Sequence, residues 1–241
     1  MERIKSLKVK IYADGANLDG MKEMYRNPLI KGFTTNPTLM RAAGVTDYED
    51  FARKVLEAIP DRPVSFEVFA DDLDHMARQA RRINSWGKNV FVKIPVTNTE
   101  GRYCGPIISE LSNEGVKLNV TAVFTLDQVR RIASDLARDA QAIVSVFAGR
   151  VADSGIDPLP VMTEAAQILA RSRPNAELLW ASPRELLNIF HADASGCGII
   201  TVTNDVLKKL ELVGKDQDQY SLETVRMFFN DAQKAGYDIP A

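Results

Sequence analysis

The sequence predicts an α/β fold, a single (β/α)₈ or TIM barrel with a C-terminal helical extension. Eight short segments rich in β-branched and aromatic residues recur along the chain, and their first residues lie roughly 22 to 35 positions apart. Stretches with apolar residues at helical spacing lie between them. Since one strand and one crossover helix need about that much chain, eight such units in 241 residues form a closed barrel most economically.

The predicted strands are Lys8–Asp14, Ile30–Asn36, Val64–Ala70, Asn89–Pro95, Lys117–Phe124, Ala142–Gly149, Glu177–Ser182 and Ile199–Thr203. The predicted helices include Tyr48–Ile59, Asp72–Asn84, Leu126–Arg138, Pro160–Ala170 and Pro183–Phe190. We expect the barrel to occupy residues 1–215. An amphipathic helix, Tyr220–Ala235, is expected in an extension, residues 216–241, that packs on the barrel or on a neighbouring subunit.

A doubly wound open sheet is the alternative to a barrel. In that fold a nucleotide binds at a glycine-rich turn after the first strand. The corresponding turn here reads ADGANLDGM, and the chain contains neither GxGxxG nor GxxxxGK[ST]. The sequence therefore favours the barrel.

Composition and charge exclude several classes of partner. Hydrophobic residues make up 45% of the chain, and 30 basic against 32 acidic residues give a formal charge of -2, so we expect neither nucleic acid nor an anionic membrane as partner. Cys104 and Cys197 lie far apart without CxxC or Cys/His spacing, which favours two reduced thiols over a zinc site or a disulfide. The sequence shows no signal peptide and no membrane-spanning window, and we expect a cytoplasmic protein.

A lysine interrupts the most apolar of the predicted strands. In NVFVKIPVT, Lys93 shares one face of the strand with Phe91 and Pro95. Burial disfavours the ammonium form, so we expect a fraction of neutral amine, which can attack a carbonyl and form a Schiff base. The alternative is a lysine whose amine reaches solvent at the strand end.

Other strands also place polar residues on the inward face or at the carboxyl end, where barrel enzymes have their active sites. These residues are Asp14, Asn36, Glu67, Asn119, Thr121 and Ser145. Each has a structural alternative: Asp14 could cap a helix, Asn36 could be a turn residue, and Glu67 could form an ion pair with Lys93. The hydroxyls of Thr121 and Ser145 could bond to the backbone. The combined placement of these polar residues favours an active site at the carboxyl ends of the strands.

A second polar cluster follows the sixth and seventh strands. Arg150, Ser182 and Arg184 could bind a phosphate, with Ser182 and Arg184 where a helix is expected to start; the alternative is exposed surface arginines.

His75 and His191 fall in helical stretches, which excludes a Ser/His/Asp triad or a His-rich metal site at the strand ends. Covalent chemistry by lysine, without metal or cofactor, is the leading hypothesis.

Seven segments together resemble one family. They are spread in order over nearly the whole barrel, residues 9 to 205, and read IYADGAN, GFTTNPTLM, SFEVFADD, NVFVKIPVT, EGVKLNVTAVFT, SVFAGRVADSGID and WASPREL. They are similar to the transaldolases and the related fructose-6-phosphate aldolases, which are class I (β/α)₈ enzymes. The resemblance implies that Lys93 forms the Schiff base, that Asp14 acts in carbon–carbon bond cleavage and formation, and that Glu67 and Thr121 position a proton-shuttling water.

The resemblance also implies substrate contacts and an activity. Substrate-binding positions are matched by Thr35, Asn36, Asn119, Ser145 and Phe147, and sugar-phosphate positions by Arg150, Ser182 and Arg184. Glu67 and Phe147 resemble transaldolases proper, whereas the aldolases tend to have glutamine and tyrosine there. Against this, the chain is short like the aldolases, and Pro183 and the GRYCGP segment depart from the family pattern.

We therefore expect a transaldolase that moves a dihydroxyacetone unit between sugar phosphates. The alternatives are an aldolase that releases free dihydroxyacetone, an enzyme acting on another sugar, or, with least support, a catalytically silent sugar-phosphate-binding barrel. Short members of the family form ring-like assemblies, so the resemblance also implies a homo-oligomer.

Overall fold

A closed parallel barrel is the central feature of the computed structural model, which describes residues 2–239. Its strands are β1 (Lys10–Asp14), β2 (Ile30–Thr34), β3 (Val64–Glu67), β4 (Val90–Pro95), β5 (Leu118–Val123), β6 (Ala142–Val146), β7 (Ala176–Trp180) and β8 (Ile199–Thr203). Each strand pairs in parallel with the next, and β8 closes the ring on β1 with Lys10 opposite Ile199. The predicted (β/α)₈ fold is confirmed, and the open-sheet alternative is wrong.

Helices connect successive strands. In chain order they are α1 (Glu2–Lys5), α2 (Leu18–Arg26), α3 (Pro37–Ala42), α4 (Tyr48–Ala58), α5 (Leu73–Asn84), α6 (Gly105–Asn113), α7 (Leu126–Asp135), α8 (Ala148–Asp153), α9 (Pro158–Ser172), α10 (Leu187–Ala194), α11 (Asn204–Leu207), a 3₁₀ helix (Lys208–Leu212) and α12 (Gln217–Ala235). Side-chain caps define several helix starts: Asp47 caps α4, Asp72 caps α5, and Thr125 with Gln128 forms a capping box on α7.

Strand β4 shows how the sequence divides between two layers. Its Val90, Val92 and Ile94 are fully buried on the face that packs towards the helices. The alternate residues Phe91 and Lys93 point into the barrel, where Phe91 packs against the interior cluster. A continuous apolar sequence with one lysine is thus the pattern of a strand buried on both faces with one polar interior position.

Tyr12 fills much of the barrel interior together with Ile143, Leu179 and Ile199. Gly32 on the neighbouring strand β2 makes room for it, because a Cβ at that position would lie 2.5 Å from the Tyr12 ring. Burial raises the pKa of the Tyr12 phenol strongly. Tyr12 therefore stays neutral and acts as a packed floor beneath the carboxyl end of the barrel.

One predicted helix begins later than expected. The segment from Pro183 to Leu186 is not helical, and α10 starts at Leu187. Ser182 has a left-handed backbone, with φ at 57°, and the amides of Arg184 and Glu185 donate to the Asn188 side chain instead of continuing a helix. The expectation that Ser182 and Arg184 lie at a helix start is wrong.

The chain divides into two compact units. The first, residues 7–208, is the barrel; the second comprises residues 2–6 and 209–239 of the described chain. Within the second unit, Asp216 caps α12, Gly236 ends it with φ at 68°, and Lys215 pairs with Glu223. The predicted packing of this extension stays a prediction. Among residues 2–239, no helix combines the length and apolarity needed to cross a membrane.

Candidate active site

A cavity of about 420 Å³ opens at the carboxyl ends of the barrel strands. Ten of the twelve residues predicted for the site line it: Asp14, Asn36, Glu67, Lys93, Asn119, Thr121, Ser145, Phe147, Arg150 and Ser182. These residues come from strand ends and loops spread over most of the sequence. Closure of the barrel brings them together because every parallel strand delivers its carboxyl end to the same mouth.

Lys93 lines this cavity and is only 7% exposed. Its Nζ donates to the backbone carbonyl of Thr35 at 2.9 Å and lies 3.1 Å from Oε2 of Glu67. The strand register pairs Glu67 with Lys93, so the carboxylate and the amine lie side by side. The ion pair considered for Glu67 is present, and the same contact gives the amine an adjacent proton acceptor.

Tyr48 holds the end of β3, a contact that no sequence pattern indicates. Its hydroxyl accepts from the Glu67 backbone N–H at 2.7 Å and donates to the Glu67 carbonyl at 3.0 Å. Both backbone groups are satisfied although the strand ends there. Tyr48 begins α4, so this helix anchors the backbone that carries the Glu67 carboxylate.

Asp14 accepts hydrogen bonds on both carboxylate oxygens. Thr34 donates to Oδ1 at 2.8 Å, and the Asn36 amide donates to Oδ2 at 3.4 Å. Burial raises the pKa of Asp14 above its ordinary value, although the Lys93 charge and these two donors act in the opposite direction. Asp14 caps no helix, because Asn17 caps α2; Asn36 caps α3 through its Oδ1 while its amide faces Asp14.

The floor of the cavity contains a buried hydrogen-bond network. The Asn119 amide donates to the Ser65 hydroxyl at 3.0 Å, and the Ser145 hydroxyl donates to Asn119 Oδ1 at 2.6 Å. All three side chains are buried, so the two bonds fix the rotamers of Asn119 and Ser145. Sequence reasoning missed Ser65, although it shares the inward face of β3 with Glu67.

An irregularity in β5 presents Thr121 to the cavity. The pairing with β6 shifts register between Val120 and Val123, and Ala122 has a left-handed backbone with φ at 58°. Within the part of the chain that the structure describes, the Thr121 hydroxyl makes no hydrogen bond to a protein group, so it is available to a ligand or water in the cavity.

The start of α8, directly after β6, and the loop after β7 approach each other at the rim. The Gly149 N–H donates to the Ala181 carbonyl at 3.2 Å, and a Cβ on Gly149 would lie 1.5 Å from the Ser182 carbonyl oxygen. Glycine is therefore required for this contact. This close approach brings Arg150 to the side of the cavity where Ser182 lies. The guanidinium carbon of Arg150 lies 5.2 Å from the centre of the Phe147 ring.

Two predicted residues do not line the cavity. Thr35 is fully buried, and its hydroxyl donates to the Ser65 carbonyl. Arg184 is half-exposed and forms a two-pronged ion pair with Asp153 on α8, with Nε 3.1 Å from Oδ1 and Nη2 bonded to Oδ2. Their roles in substrate binding stay predictions.

The residues that line the cavity supply a buried amine, two carboxylates, several hydroxyls and one guanidinium. Across residues 2–239, no group of three or more His, Cys, Asp or Glu side chains is close enough to hold a metal ion. The cavity is thus suited to amine–carbonyl chemistry with proton transfer to carboxylates.

Fold and site together define a (β/α)₈ barrel protein with its functional cavity at the carboxyl ends of the strands. The sequence model of the Transaldolase/Fructose-6-phosphate aldolase family matches residues 11–241. The chain belongs to this family, which consists of enzymes.

Two curated relatives of this chain have the same name. A protein of Dehalococcoides mccartyi called "Probable transaldolase" is 36% identical over 202 residues, which cover 84% of this chain and 90% of that protein. Another "Probable transaldolase", from Thermoanaerobacter sp., is 33% identical over 231 residues and covers 96% of this chain and all of the relative.

Solved structures share the fold at low sequence identity. A dihydrodipicolinate synthase from Rhodopseudomonas palustris has a TM-score of 0.54 at 16% identity, covering 80% of this chain and 69% of that one. A structure of KGPDC from Streptococcus mutans has a TM-score of 0.55 at 9% identity, covering 84% and 90%. At these identities the likeness concerns the fold alone.

Proposed function

We propose that this protein is a transaldolase that transfers a dihydroxyacetone unit from a ketose phosphate to an aldose phosphate through a Schiff base on Lys93. The observation that carries the proposal is the buried Lys93 amine beside the Glu67 carboxylate, in a cavity that Asp14 also lines. Sedoheptulose 7-phosphate as donor and glyceraldehyde 3-phosphate as acceptor are representative substrates.

The first step forms the Schiff base. Glu67 takes a proton from the Lys93 ammonium across their 3.1 Å contact, and the neutral amine attacks the C2 carbonyl of the donor. The carbinolamine then loses its oxygen as water, with the proton supplied by Glu67 through a water held near the Thr121 hydroxyl. The product is an iminium ion on Lys93.

Asp14 handles the proton of the second step. Its carboxylate takes the proton from the C4 hydroxyl as the C3–C4 bond breaks, and the bonding electrons move into the iminium to give an enamine. An aldose phosphate leaves. When an acceptor aldehyde enters, the enamine attacks its carbonyl carbon, Asp14 returns a proton to the new hydroxyl, and water releases the ketose product from Lys93.

Transfer is favoured over release by the wall of the cavity. Phe147 lines it and has no hydroxyl that could protonate the enamine, which is the step that commits the bound unit to hydrolysis. An aldolase that releases free dihydroxyacetone is the second candidate. We expect Phe147→Tyr to raise the rate of free dihydroxyacetone release relative to transfer.

The phosphate is proposed to bind at the rim near Arg150 and Ser182, with Arg184 close behind on the same loop as Ser182. Arg150 is the charged group that lines the cavity on this side. A guanidinium and a hydroxyl in the cavity that Lys93 also lines suit the phosphate end of an extended sugar.

Borohydride trapping tests the proposal directly. The protein is incubated with fructose 6-phosphate, reduced, digested and analysed by mass. We expect a reduced three-carbon adduct on Lys93, and Lys117→Met, which removes another lysine of the barrel, should leave it unchanged. Absence of an adduct at Lys93 would contradict both enzyme functions. Product formation with and without glyceraldehyde 3-phosphate then distinguishes transfer from release.

The assembly and cellular setting form part of the same proposal. We propose a cytoplasmic homo-oligomer, consistent with two free buried cysteines and with exposed apolar side chains such as Val225, Phe228 and Phe229 on α12. Light scattering of the purified protein at several concentrations measures the oligomeric state, and a monomer throughout would contradict this part.

A further inference from the structure

Two buried threonines form a hydrogen-bonded chain that ends on Asp14. Thr34 of β2 donates to Asp14 Oδ1 at 2.8 Å, and the Thr34 hydroxyl is also hydrogen-bonded to the Thr201 hydroxyl of β8. Strand β1, which carries Asp14, lies between these two strands. The hydrogen bonds therefore connect Asp14 to Thr34 on one neighbouring strand and, through Thr34, to Thr201 on the other. Both threonines are buried, and both line the cavity.

The direction of this chain follows from counting protons. An ionised carboxylate only accepts hydrogen bonds, so the single hydroxyl proton of Thr34 must point at Asp14. The Thr34 oxygen is then the acceptor in its bond to Thr201, and Thr201 is the donor. Each bond polarises the next, which strengthens the bond that reaches the carboxylate.

We propose that Thr201 is a positioning residue that acts through Thr34 on Asp14. By donating to Thr34, it keeps the Thr34 proton directed at Oδ1 and so favours the ionised, correctly oriented carboxylate. The inference rests on the proposed role of Asp14 as the base at the C4 hydroxyl. Thr201 itself does not take part in bond making or breaking.

Two charged side chains near Asp14 also influence its pKa. Within the described residues, the charged groups that influence its pKa are Lys93 on β4, which lowers it, and Glu67 on β3, which raises it; burial raises it most. Since a substitution at Thr201 leaves all three unchanged, a change in the ionisation of Asp14 in such a variant reports the hydroxyl chain.

Thr201→Val removes the hydroxyl and keeps the shape of the side chain. We expect the acid limb of the pH profile of kcat/KM to move to higher pH, with a loss of about threefold to tenfold on the acid side, the usual range for one hydrogen bond. Thr201→Ser should restore the wild-type profile. Ser195→Ala, which removes another buried hydroxyl bonded only to backbone, should leave the profile unchanged. An unmoved acid limb in Thr201→Val, or no restoration by serine, would overturn the proposal.

A second measurement does not depend on turnover. Titration of the Asp14 carboxyl by ¹³C NMR, assigned with Asp14→Asn, should give a higher pKa in Thr201→Val than in the wild type. Equal titration would overturn the hydroxyl chain even if the enzyme is active. If the wild-type protein gives no borohydride adduct, the proposed function fails. A higher pKa of Asp14 in Thr201→Val would still support the coupling between Thr201 and Asp14.

Discussion

The Nζ of Lys93 lies 3.1 Å from a carboxylate oxygen of Glu67, and the register of β3 and β4 makes the two residues direct neighbours. The same amine donates to the Thr35 carbonyl, so its position is defined from two directions. An amine held this way points into the cavity and has a proton acceptor in contact.

Glu67→Ala should slow formation of the Lys93 adduct by about 10²-fold, because the amine loses its adjacent proton acceptor. Rapid quenching with borohydride measures the rate. Glu67→Gln keeps the hydrogen-bonding shape without the charge and should give an intermediate rate. An adduct that forms at the wild-type rate in Glu67→Ala would show that the carboxylate has no part in this step.

Tyr48→Phe should lower the free energy of unfolding by about 1–3 kcal/mol, because two backbone groups of Glu67 lose their partner. Urea unfolding followed by fluorescence measures this difference. Tyr25→Phe is the matched control: its hydroxyl bonds to an exposed Asp61, so its loss should cost less than about 0.5 kcal/mol. Equal effects of the two substitutions would contradict the anchoring role of Tyr48.

Asp14→Asn should abolish turnover but stabilise the fold near neutral pH. Burial raises the pKa of Asp14 in the folded protein, so folding binds protons and this residue lowers stability as pH rises through that pKa. A neutral amide avoids the penalty, and we expect a rise in Tm of about 2–4 °C at pH 7. The gain should vanish below the pKa of an unfolded aspartate; a gain that is equal at all pH values would contradict the electrostatic explanation.

Arg150→Ala should raise KM for phosphorylated ketoses by roughly tenfold to a hundredfold and leave non-phosphorylated ketoses unaffected. Arg184→Ala should also act selectively on phosphorylated substrates, with a smaller effect because its guanidinium is already paired with Asp153. Steady-state kinetics with both substrate types checks this, with Arg171→Ala on α9 as the control. Equal losses on both substrate types would argue against a phosphate site at this rim.

Gly149→Ala should separate the start of α8 from the loop that follows β7, since its Cβ would lie 1.5 Å from the Ser182 carbonyl oxygen. We expect a loss of about 1–3 kcal/mol in unfolding free energy together with weaker binding of phosphorylated substrates. Gly15→Ala, where no atom lies within 4 Å of the added Cβ, should leave stability nearly unchanged. Wild-type stability in Gly149→Ala would contradict the close approach of α8 to the loop after β7.

Much of the fold was predictable because its signals are local. The eight strands were located to within a few residues, and β8 was predicted with its observed bounds, since β-branched runs and helical periodicity depend on neighbouring residues. The helix predicted from Pro183 begins later for a reason that helical periodicity does not report: the Asn188 side chain accepts the hydrogen bonds of the Arg184 and Glu185 amides.

The sequence by itself determined the barrel, the inward face of the strands that carry Glu67, Lys93, Thr121 and Ser145, and the meeting of Lys93, Glu67 and Asp14 at one mouth, because period-2 alternation and parallel closure leave little choice. The tertiary structure alone decided which partner each polar group takes: Arg184 pairs with Asp153, Tyr48 holds the Glu67 backbone, and Thr201 reaches Asp14 through Thr34. Those choices depend on differences of a few tenths of an ångström in the distances between polar atoms, on residues up to 187 positions apart in the chain. Local sequence patterns do not encode such differences.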